Sequence, residues 1–140
     1  YSPGEGEGSL ADDRCLVLRI HWKGWRILLS NDAGFEIEQR LLARGVDLRS
    51  DVWIMGRHQT DFSGSDQFLE AVSPQVIVAS HRHFPIEERI PARWADWVEG
   101  NGISLWRQNE TGAVALDAIG DGLRLRSFLD DGRTETLRKP

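Results

Sequence analysis

The stretch that decides the fold is LVLRIHWKGWRILLSNDAGFEIEQRLLARG, residues 16–45. At its beginning, successive side chains lie on alternate sides of an extended chain, and those on one side are apolar. This pattern predicts a strand with one apolar face. Lys23-Gly24 then predicts a hairpin turn, because glycine tolerates the positive φ that such turns need. The next run, 25–29, is apolar almost throughout and predicts a strand buried on both faces. It leads to Asp32, just before a predicted helix over 35–44, and a carboxylate at that place is typical of the sites of α/β folds.

The composition indicates one small folded domain without a general affinity for nucleic acid. The chain has 140 residues, which corresponds to about one domain. Its net charge is −5 and its isoelectric point is about 5.3, so no general basic field attracts phosphate. The single cysteine, Cys15, excludes an internal disulfide and is interpreted as a small core residue. No apolar run approaches the roughly 20 residues that span a bilayer, so direct membrane insertion of this chain is not expected.

Outward from the opening stretch, apolar runs alternate with amphipathic segments. The short apolar runs that predict further strands lie at 52–55, 76–79, 103–106, 113–119 and 123–129. Between them, one predicted helix is capped by Ser65 and another begins after Pro91. The order ββαβαβαβββ predicts an α/β fold with one mixed β-sheet and helices. The predicted domain covers 12–130, between a flexible lead-in at 1–11 and a polar tail at 131–140 that is frayed or a short edge strand.

Polar side chains that can bind a metal follow three consecutive predicted strands. Asp32 follows the second strand, His58 follows the third, and His81 and His83 follow the fourth. Side chains at successive strand ends can converge on one point, and carboxylate and imidazole ligands suit zinc or manganese. The spacing does not match a compact ligand motif such as H-E-x-x-H, so solvated loop histidines are the alternative.

Seven segments, in order, carry a resemblance to a known family. They read D-D-R-C-L-V-L-R (12–19), L-L-S-N-D (28–32), L-L-A-R (41–44), S-D-V-W-I-M-G-R-H-Q-T (50–60), F-L-E-A-V-S-P (68–74), V-I-V-A-S (76–80) and T-G-A-V (111–114). The chain resembles the C-terminal half of the metallo-β-lactamase-like domain of ComEC-type competence proteins. That family has the pattern N-D-R-S-L-V-L-R, L-L-T-G-D, L-L-A-R, A-D-V-L-K-V-P-H-H-G-S, F-L-E-A-V-x-P, V-x-I-I-S and D-G-A-V. The resemblance covers about residues 12–116 and implies one half of an αββα sandwich.

The residues that bind metal in that family are changed here. The T-G-D segment supplies a metal-bridging aspartate, which the chain keeps as Asp32, and the H-H-G-S segment supplies a histidine where the chain has Arg57 and His58. The family's G-H-P has no clean match, unless His81 or His83 substitutes, and its N-terminal H-x-H-x-D-H is absent. A permanent positive charge on Arg57 repels a dication. The resemblance therefore implies a degenerate site, in which Arg57 takes the place of the ion and pairs with Asp32.

Two hypotheses follow from the resemblance. The first is a non-catalytic domain, without a metal cofactor, that is attached to a bacterial inner-membrane protein for DNA uptake and meets DNA through that parent protein. Weak DNA contact would use four arginines, with a solvated surface as the alternative; they are Arg82, Arg89, Arg93 and Arg107. The second is a metal-dependent nuclease or phosphodiesterase, completed by a missing half or a second chain, in which metal-bound hydroxide attacks a phosphodiester.

A third hypothesis is a protein-interaction module. Half a sandwich would leave one sheet face open, so the chain would form a homodimer or pair with a missing N-terminal half. The tryptophans expected at such a seam are Trp22, Trp25, Trp53 or Trp106. The helical spacing of Trp94, Trp97 and Val98 instead predicts the core stripe of a helix.

Overall fold

The computed structural model describes residues 14–58, 61–80, 89–129 and 132–139. Within them the chain forms, in order, β1 (Leu18–Trp22), β2 (Trp25–Asn31), α1 (Phe35–Ala43), β3 (Val52–Met55), α2 (Asp66–Val72), β4 (Val76–Ala79), α3 (Ala92–Gly100), β5 (Ser104–Arg107), α4 (Gln108–Thr111), β6 (Val114–Ile119), β7 (Gly122–Ser127) and β8 (Thr134–Leu137). Strands and helices alternate in the middle of the chain, which confirms the predicted α/β class with a mixed sheet.

Five strands make the central sheet, in the order β1-β2-β3-β4-β5. The first pair is antiparallel, and the other neighbours pair in parallel. The turn between β1 and β2 uses Lys23 at φ 49° and Gly24 at φ 81°, which suits a tight hairpin with two positive φ values. β2 lies inside the sheet and is largely buried, as its apolar run predicts, whereas β1 lies at the edge.

The C-terminal strands form a second sheet instead of extending the first. β6, β7 and β8 are antiparallel neighbours in that order, so the prediction of a single sheet is wrong for this part of the chain. The physical reason is burial, because Leu123 and Leu125 of β7 are completely buried in one cluster with Trp106 of the central sheet. β8 lies inside the predicted polar tail. It forms an edge strand, which is one of the two structures predicted for that tail.

Helices cover the opposite face of the central sheet. Ile37 and Leu41 of α1 are buried there, together with Phe68 of α2. Trp53 of β3 meets Phe68 edge to face, with ring centroids 5.3 Å apart. Cys15 packs against the margin of this core, in agreement with its interpretation. Each fully buried large apolar side chain stabilises the fold by about 1.5–3 kcal/mol, so the helices and the two sheets hold together as three layers.

The tryptophans expected at a seam between chains lie mostly inside this chain. Trp25, Trp53 and Trp106 are buried in its own cores, and Trp22 is half-buried at the end of β1. The second sheet covers the face that the sequence predicts to be open. Exposed apolar side chains occur instead beside the sheet edge, at Leu18 and neighbouring positions of β1.

One face of α3 differs from its predicted role. Trp94 and Val98 are buried, as the helical spacing predicts, but Trp97 exposes 38 % of its surface. The prediction is therefore wrong for Trp97. Trp94 reaches further inward because its indole N–H donates to the carbonyl oxygen of Gly64 at 2.7 Å, which fixes the rotation of the helix about its axis.

The amino edge of the central sheet, where β2, β3, β4 and β5 begin, is partly closed by the end of the chain. The ammonium of Lys139 lies 2.8 Å from a carboxylate oxygen of Asp51 and 4.3 Å from the ring centre of Trp25. The backbone N–H of Arg26 donates to the same carboxylate at 2.8 Å. Burial by itself raises the pKa of Asp51, but the hydrogen bonds from Lys139 and Arg26 outweigh it and hold the pKa below its usual range.

Replacing Asp51 with asparagine is expected to lower the free energy of unfolding by about 2 kcal/mol at neutral pH, because charge-assisted bonds at a buried carboxylate are lost. The native pKa is depressed, so this contribution is present above the unfolded pKa of about 3.9 and is lost as pH falls through the folded value. Urea unfolding at neutral pH and near pH 3 should show the difference between Asp51→Asn and the unchanged chain shrinking in acid. An equal difference at both values contradicts this account.

Candidate functional site

The candidate site lies at the carboxyl edge of the central sheet, where β2, β3 and β4 end. Asp32 follows β2 directly, and the loop with Arg57 and His58 follows β3. Because β2 and β3 are parallel neighbours, the structure brings these residues to the same edge, as predicted. His81 and His83, which follow β4, lie outside the described residues.

Asp32 lies against the backbone of the next strand. Its Oδ1 atom accepts a hydrogen bond from the backbone N–H of Arg57 at 3.2 Å, and its side chain is otherwise exposed. The approach depends on Gly56, since a Cβ atom there would lie 2.0 Å from the same oxygen and 2.7 Å from the carbonyl oxygen of Asn31. Gly56 also donates its own N–H to that carbonyl at 2.7 Å. The carboxylate is therefore held by main chain that has room for it only because position 56 has no side chain.

His58 is almost completely buried, with 1 % of its surface exposed. Its Nδ1 atom accepts a hydrogen bond from the backbone N–H of Asp61 at 2.9 Å. The imidazole packs against Gly34, where a Cβ atom would lie 2.8 Å from the ring carbon Cδ2. A nitrogen that accepts a hydrogen bond carries no proton, so the neutral ring has its proton on Nε2. The hydrogen bond at Nδ1 thus assigns the proton of the neutral His58 ring to Nε2.

Glu38 of α1 holds the following part of this loop, and it is not among the site residues predicted from the sequence. Its two carboxylate oxygens accept the backbone N–H groups of Gly64 and Ser65 at 2.6 and 2.9 Å. Only 1 % of the residue is exposed. Burial raises the pKa of Glu38 above its ordinary value, with the hydrogen bonds from Ser65 and Gly64 offsetting part of the rise and the charge of Asp61 adding to it.

Ser65 does not make the capping hydrogen bond predicted for it. Ser65 is the N-cap residue of α2, as expected, but its side chain makes no capping hydrogen bond. The Glu38 carboxylate accepts the backbone N–H groups of Gly64 and of Ser65 itself, which precede the first turn of this helix. These two hydrogen bonds tie the loop after β3 to α1. The candidate edge is consequently built from rigid parts, although its loop lacks regular secondary structure.

This edge combines the positive charge of Arg57 with the carboxylates of Asp32 and Asp61. Arg57 is half-buried, and burial lowers the pKa of its guanidinium, but an arginine stays protonated in proteins. A histidine that binds a metal through Nε2 usually donates its Nδ1–H to a neighbour, which is the reverse of the arrangement at His58. Among the described residues, no group of three or more histidine, cysteine, aspartate or glutamate side chains is placed to hold a metal ion.

The arginines predicted to contact DNA differ in exposure and in their charged neighbours. Arg107 pairs with Glu99 at 3.4 Å and with Glu110 at 3.9 Å. Arg89 and Arg93 are exposed, and Arg82 lies outside the described residues. Two acidic partners reduce what Arg107 can offer to a phosphate, since its charge is already compensated locally.

The sequence of this chain is similar to that of a known protein. Over 113 residues, which are 80 % of this chain, the sequence is 30 % identical to a curated protein of Neisseria gonorrhoeae named competence protein ComA. The chain is therefore related to a competence protein. This confirms the competence relationship predicted from the ordered motifs. The chain spans 16 % of the length of that relative.

Two further observations concern family models and membrane-spanning helices. No model of a known protein family matches the chain. Among the described residues, no helix has both the length and the apolar character that crossing a bilayer requires.

Proposed function

We propose that the chain is a non-catalytic domain of a competence protein for DNA uptake, with a metallo-β-lactamase-like fold whose metal site is degenerate. The relationship to competence protein ComA supports the first part. The hydrogen bond from the Asp61 backbone N–H to Nδ1 of His58 carries the second part, because it places a proton on the nitrogen that a metal would need. In this proposal Asp32 and His58 serve the structure of the edge.

The residue next to His58 supports the same conclusion. Arg57 brings a permanent charge to the end of β3, and a dication near it would be repelled. Arg57 also donates its backbone N–H to Asp32, so one residue both holds the carboxylate and supplies positive charge to this edge. We propose that the positive charge of Arg57 occupies the position at which members of the family that the chain resembles hold a metal ion.

The proposed role is one of assembly within a larger protein. The chain corresponds to a small part of its relative, and a domain without catalysis contributes by binding its neighbours. The parent protein, in this proposal, is a bacterial inner-membrane protein, and DNA is met chiefly through that parent. Arg82, Arg89, Arg93 and Arg107 contribute weak contacts at most.

Metal content is the measurement that tests this function. After dialysis against zinc and then manganese, elemental mass spectrometry of the purified chain is expected to find much less than one ion per chain. The Asp32→Ala variant is expected to give the same value, because no metal is displaced. An Arg57→Ala variant should unfold at a lower temperature, since the proposal makes Arg57 a structural replacement for the ion.

The opposite result would favour the metal-dependent nuclease or phosphodiesterase. Near-stoichiometric metal that disappears in Asp32→Ala would contradict the proposal, and hydrolysis of a phosphodiester would then be the next assay. Arg44→Ala is a matched control for stability, because Arg44 is an exposed arginine beyond the end of α1. Equal unfolding temperatures for Arg57→Ala and Arg44→Ala would contradict the structural role of Arg57.

A specific observation favours protein interaction as a second function. Leu16, Leu18 and Ile20 are 44 %, 42 % and 43 % exposed, and β1 is an edge strand. Apolar side chains on an exposed edge are typical of a surface that pairs with another strand. Sedimentation at micromolar concentration should show self-association that Ile20→Lys abolishes if this edge forms a homodimer. A monomer would contradict the homodimer.

A further inference from the structure

A second candidate site lies at the amino edge of the central sheet, on the side opposite to Asp32 and His58. A cavity of about 820 Å³ opens there between the carboxyl ends of α2 and α3, the start of β3, and β8. Its apolar lining includes Leu69, Ile103 and Leu137. Ligand sites in proteins are usually concave spaces of about 300–1,000 Å³, and this cavity has that size, with a lining that is more polar than apolar.

Two arginines line this cavity. The Arg49 guanidinium makes no hydrogen bond or ion pair with any residue in 14–58, 61–80, 89–129 or 132–139, and Arg49 is exposed. Arg26 also lines the cavity, and its guanidinium lies 3.6 Å from an oxygen of Asp51. Arginine presents a planar fork of N–H donors that fits the oxygens of a phosphate. The cavity thus offers phosphate-binding groups in a chain whose net charge is −5.

Most of the acidic groups of the cavity are already engaged. The Asp51 carboxylate accepts from Lys139 and from the Arg26 backbone. Glu135 accepts from the Ser104 hydroxyl at 2.6 Å and from the Trp106 indole at 2.9 Å. Glu70 is the exposed carboxylate of the lining. The charge of Glu70 and the negative carboxyl ends of α2 and α3 disfavour a phosphate near that residue. A phosphate in the cavity is therefore expected next to the arginines.

The cavity also has an exposed aromatic side chain, that of Trp97. Trp97 lines the cavity and exposes 38 % of its surface, while its neighbour Trp94 is buried. Nearby, Asn101 donates its side-chain N–H to the Trp97 carbonyl, which leaves its amide oxygen for another donor, and the half-buried Gln75 lines the same space. An aromatic face for stacking, amide groups for base edges and arginines for the backbone are the usual parts of a single-strand nucleic-acid site.

We propose that this cavity binds a short segment of single-stranded nucleic acid, with a base on Trp97 and the backbone phosphates against Arg49 and Arg26. The choice of nucleic acid among ligands with phosphate rests on the DNA-uptake function proposed above. The site itself is independent of any metal at the carboxyl edge. Its arginines are also different from those that the sequence predicts to contact DNA.

Fluorescence anisotropy of a labelled oligo(dT) of about 12 nucleotides, within the usual site size of a small domain, tests the proposal with the full chain at low salt. We expect measurable binding that weakens as salt rises, about tenfold weaker binding in Trp97→Ala and about fivefold weaker binding in Arg49→Ala. Both side chains are exposed, so both variants should fold, which circular dichroism verifies. Arg126→Ala is the matched control, because Arg126 lies on the second sheet, is exposed, and pairs with Asp117 at 2.7 Å; its affinity should be unchanged.

Three results would overturn the proposal. They are no binding at low salt, equal weakening in Arg126→Ala and Arg49→Ala, and full displacement of the oligonucleotide by polyglutamate at equal charge concentration. The last result would assign the cavity to acidic peptides. Each of them leaves the metal measurement at the carboxyl edge unaffected, so failure here is distinguishable from failure of the proposed function.

Discussion

The Glu38→Ala variant should lose about 4 kcal/mol of unfolding free energy. Two buried backbone N–H groups lose their acceptor, at about 1–3 kcal/mol each, and a cavity replaces the side chain. Those groups belong to Gly64 and Ser65, at the start of α2. Urea unfolding followed by circular dichroism measures the change, and a loss of this size is a large fraction of the roughly 5–15 kcal/mol that stabilises a typical domain.

Two companion variants make the Glu38 result specific. Glu36→Ala is the matched control on the same helix, because Glu36 is exposed and forms a surface pair with Arg40, and it should cost about 0.5 kcal/mol or less. Glu38→Gln keeps one acceptor oxygen but turns an NH₂ group toward a backbone N–H, so it should fall between the two. Equal stability of Glu38→Ala and Glu36→Ala would show that the carboxylate does not hold the loop.

The pH dependence of the Glu38 contribution has a definite sign. Its native pKa is raised, chiefly by burial, so the folded chain binds a proton at this residue more tightly than the unfolded chain. The resulting contribution to stability is complete below the unfolded pKa, at about 4.3, and declines as pH rises through the folded pKa. The stability gap between the unchanged chain and Glu38→Ala should therefore be larger near pH 5 than near pH 8. A gap that widens toward alkaline pH would contradict the raised pKa.

The second large effect is expected at Gly56, where alanine should cost about 3 kcal/mol. The new Cβ atom would overlap Oδ1 of Asp32 and crowd the backbone of Asn31. A carboxylate can rotate away, but the Asn31 carbonyl cannot move without breaking its hydrogen bond to the Gly56 N–H. We expect a lower unfolding temperature and a shift of the Arg57 amide resonance, because that amide donates to Asp32.

Gly100→Ala is the matched control for Gly56→Ala. Gly100 is the last residue of α3, and a Cβ atom there would meet nothing within 4 Å. Alanine is the better helix former by about 1 kcal/mol in a helix interior, so this change should be neutral or slightly stabilising. If both glycine variants were equally stable, the close packing of Asp32 on the neighbouring strand would be refuted.

The periodicity of side chains was sufficient to predict the central sheet and the helices. Apolar runs such as 76–79 coincide with strands, because a strand buried on both faces has no room for polar residues. The same reasoning failed for the sheet to which β6 and β7 belong. A hairpin has the same alternation whether it extends one sheet or covers another, and only the packing of Leu123 and Leu125 against Trp106 decides between the two.

The candidate edge was predictable in outline, and its electrostatics were not. The order of strands places Asp32 and His58 at one edge, but the proton on His58 depends on the Asp61 backbone N–H, a contact without a sequence signal. Glu38 did have a signal. It lies between Ile37 and Leu41, which are both buried, and a carboxylate on the apolar side of a helix needs hydrogen-bond donors from another element.

The contact between Lys139 and Asp51 joins residues that are 88 positions apart, and this separation affects how the chain folds during its synthesis. A ribosome delivers β1 to β5 before the strands of the second sheet. Until the strands up to β8 have emerged, the face with Val76, Val78 and Trp106, which is buried in the finished fold, has no cover from its own chain. Nascent chains with such faces are bound by chaperones. The cover of this face during translation thus depends on β7 and β8, which are synthesised after the five strands of the central sheet.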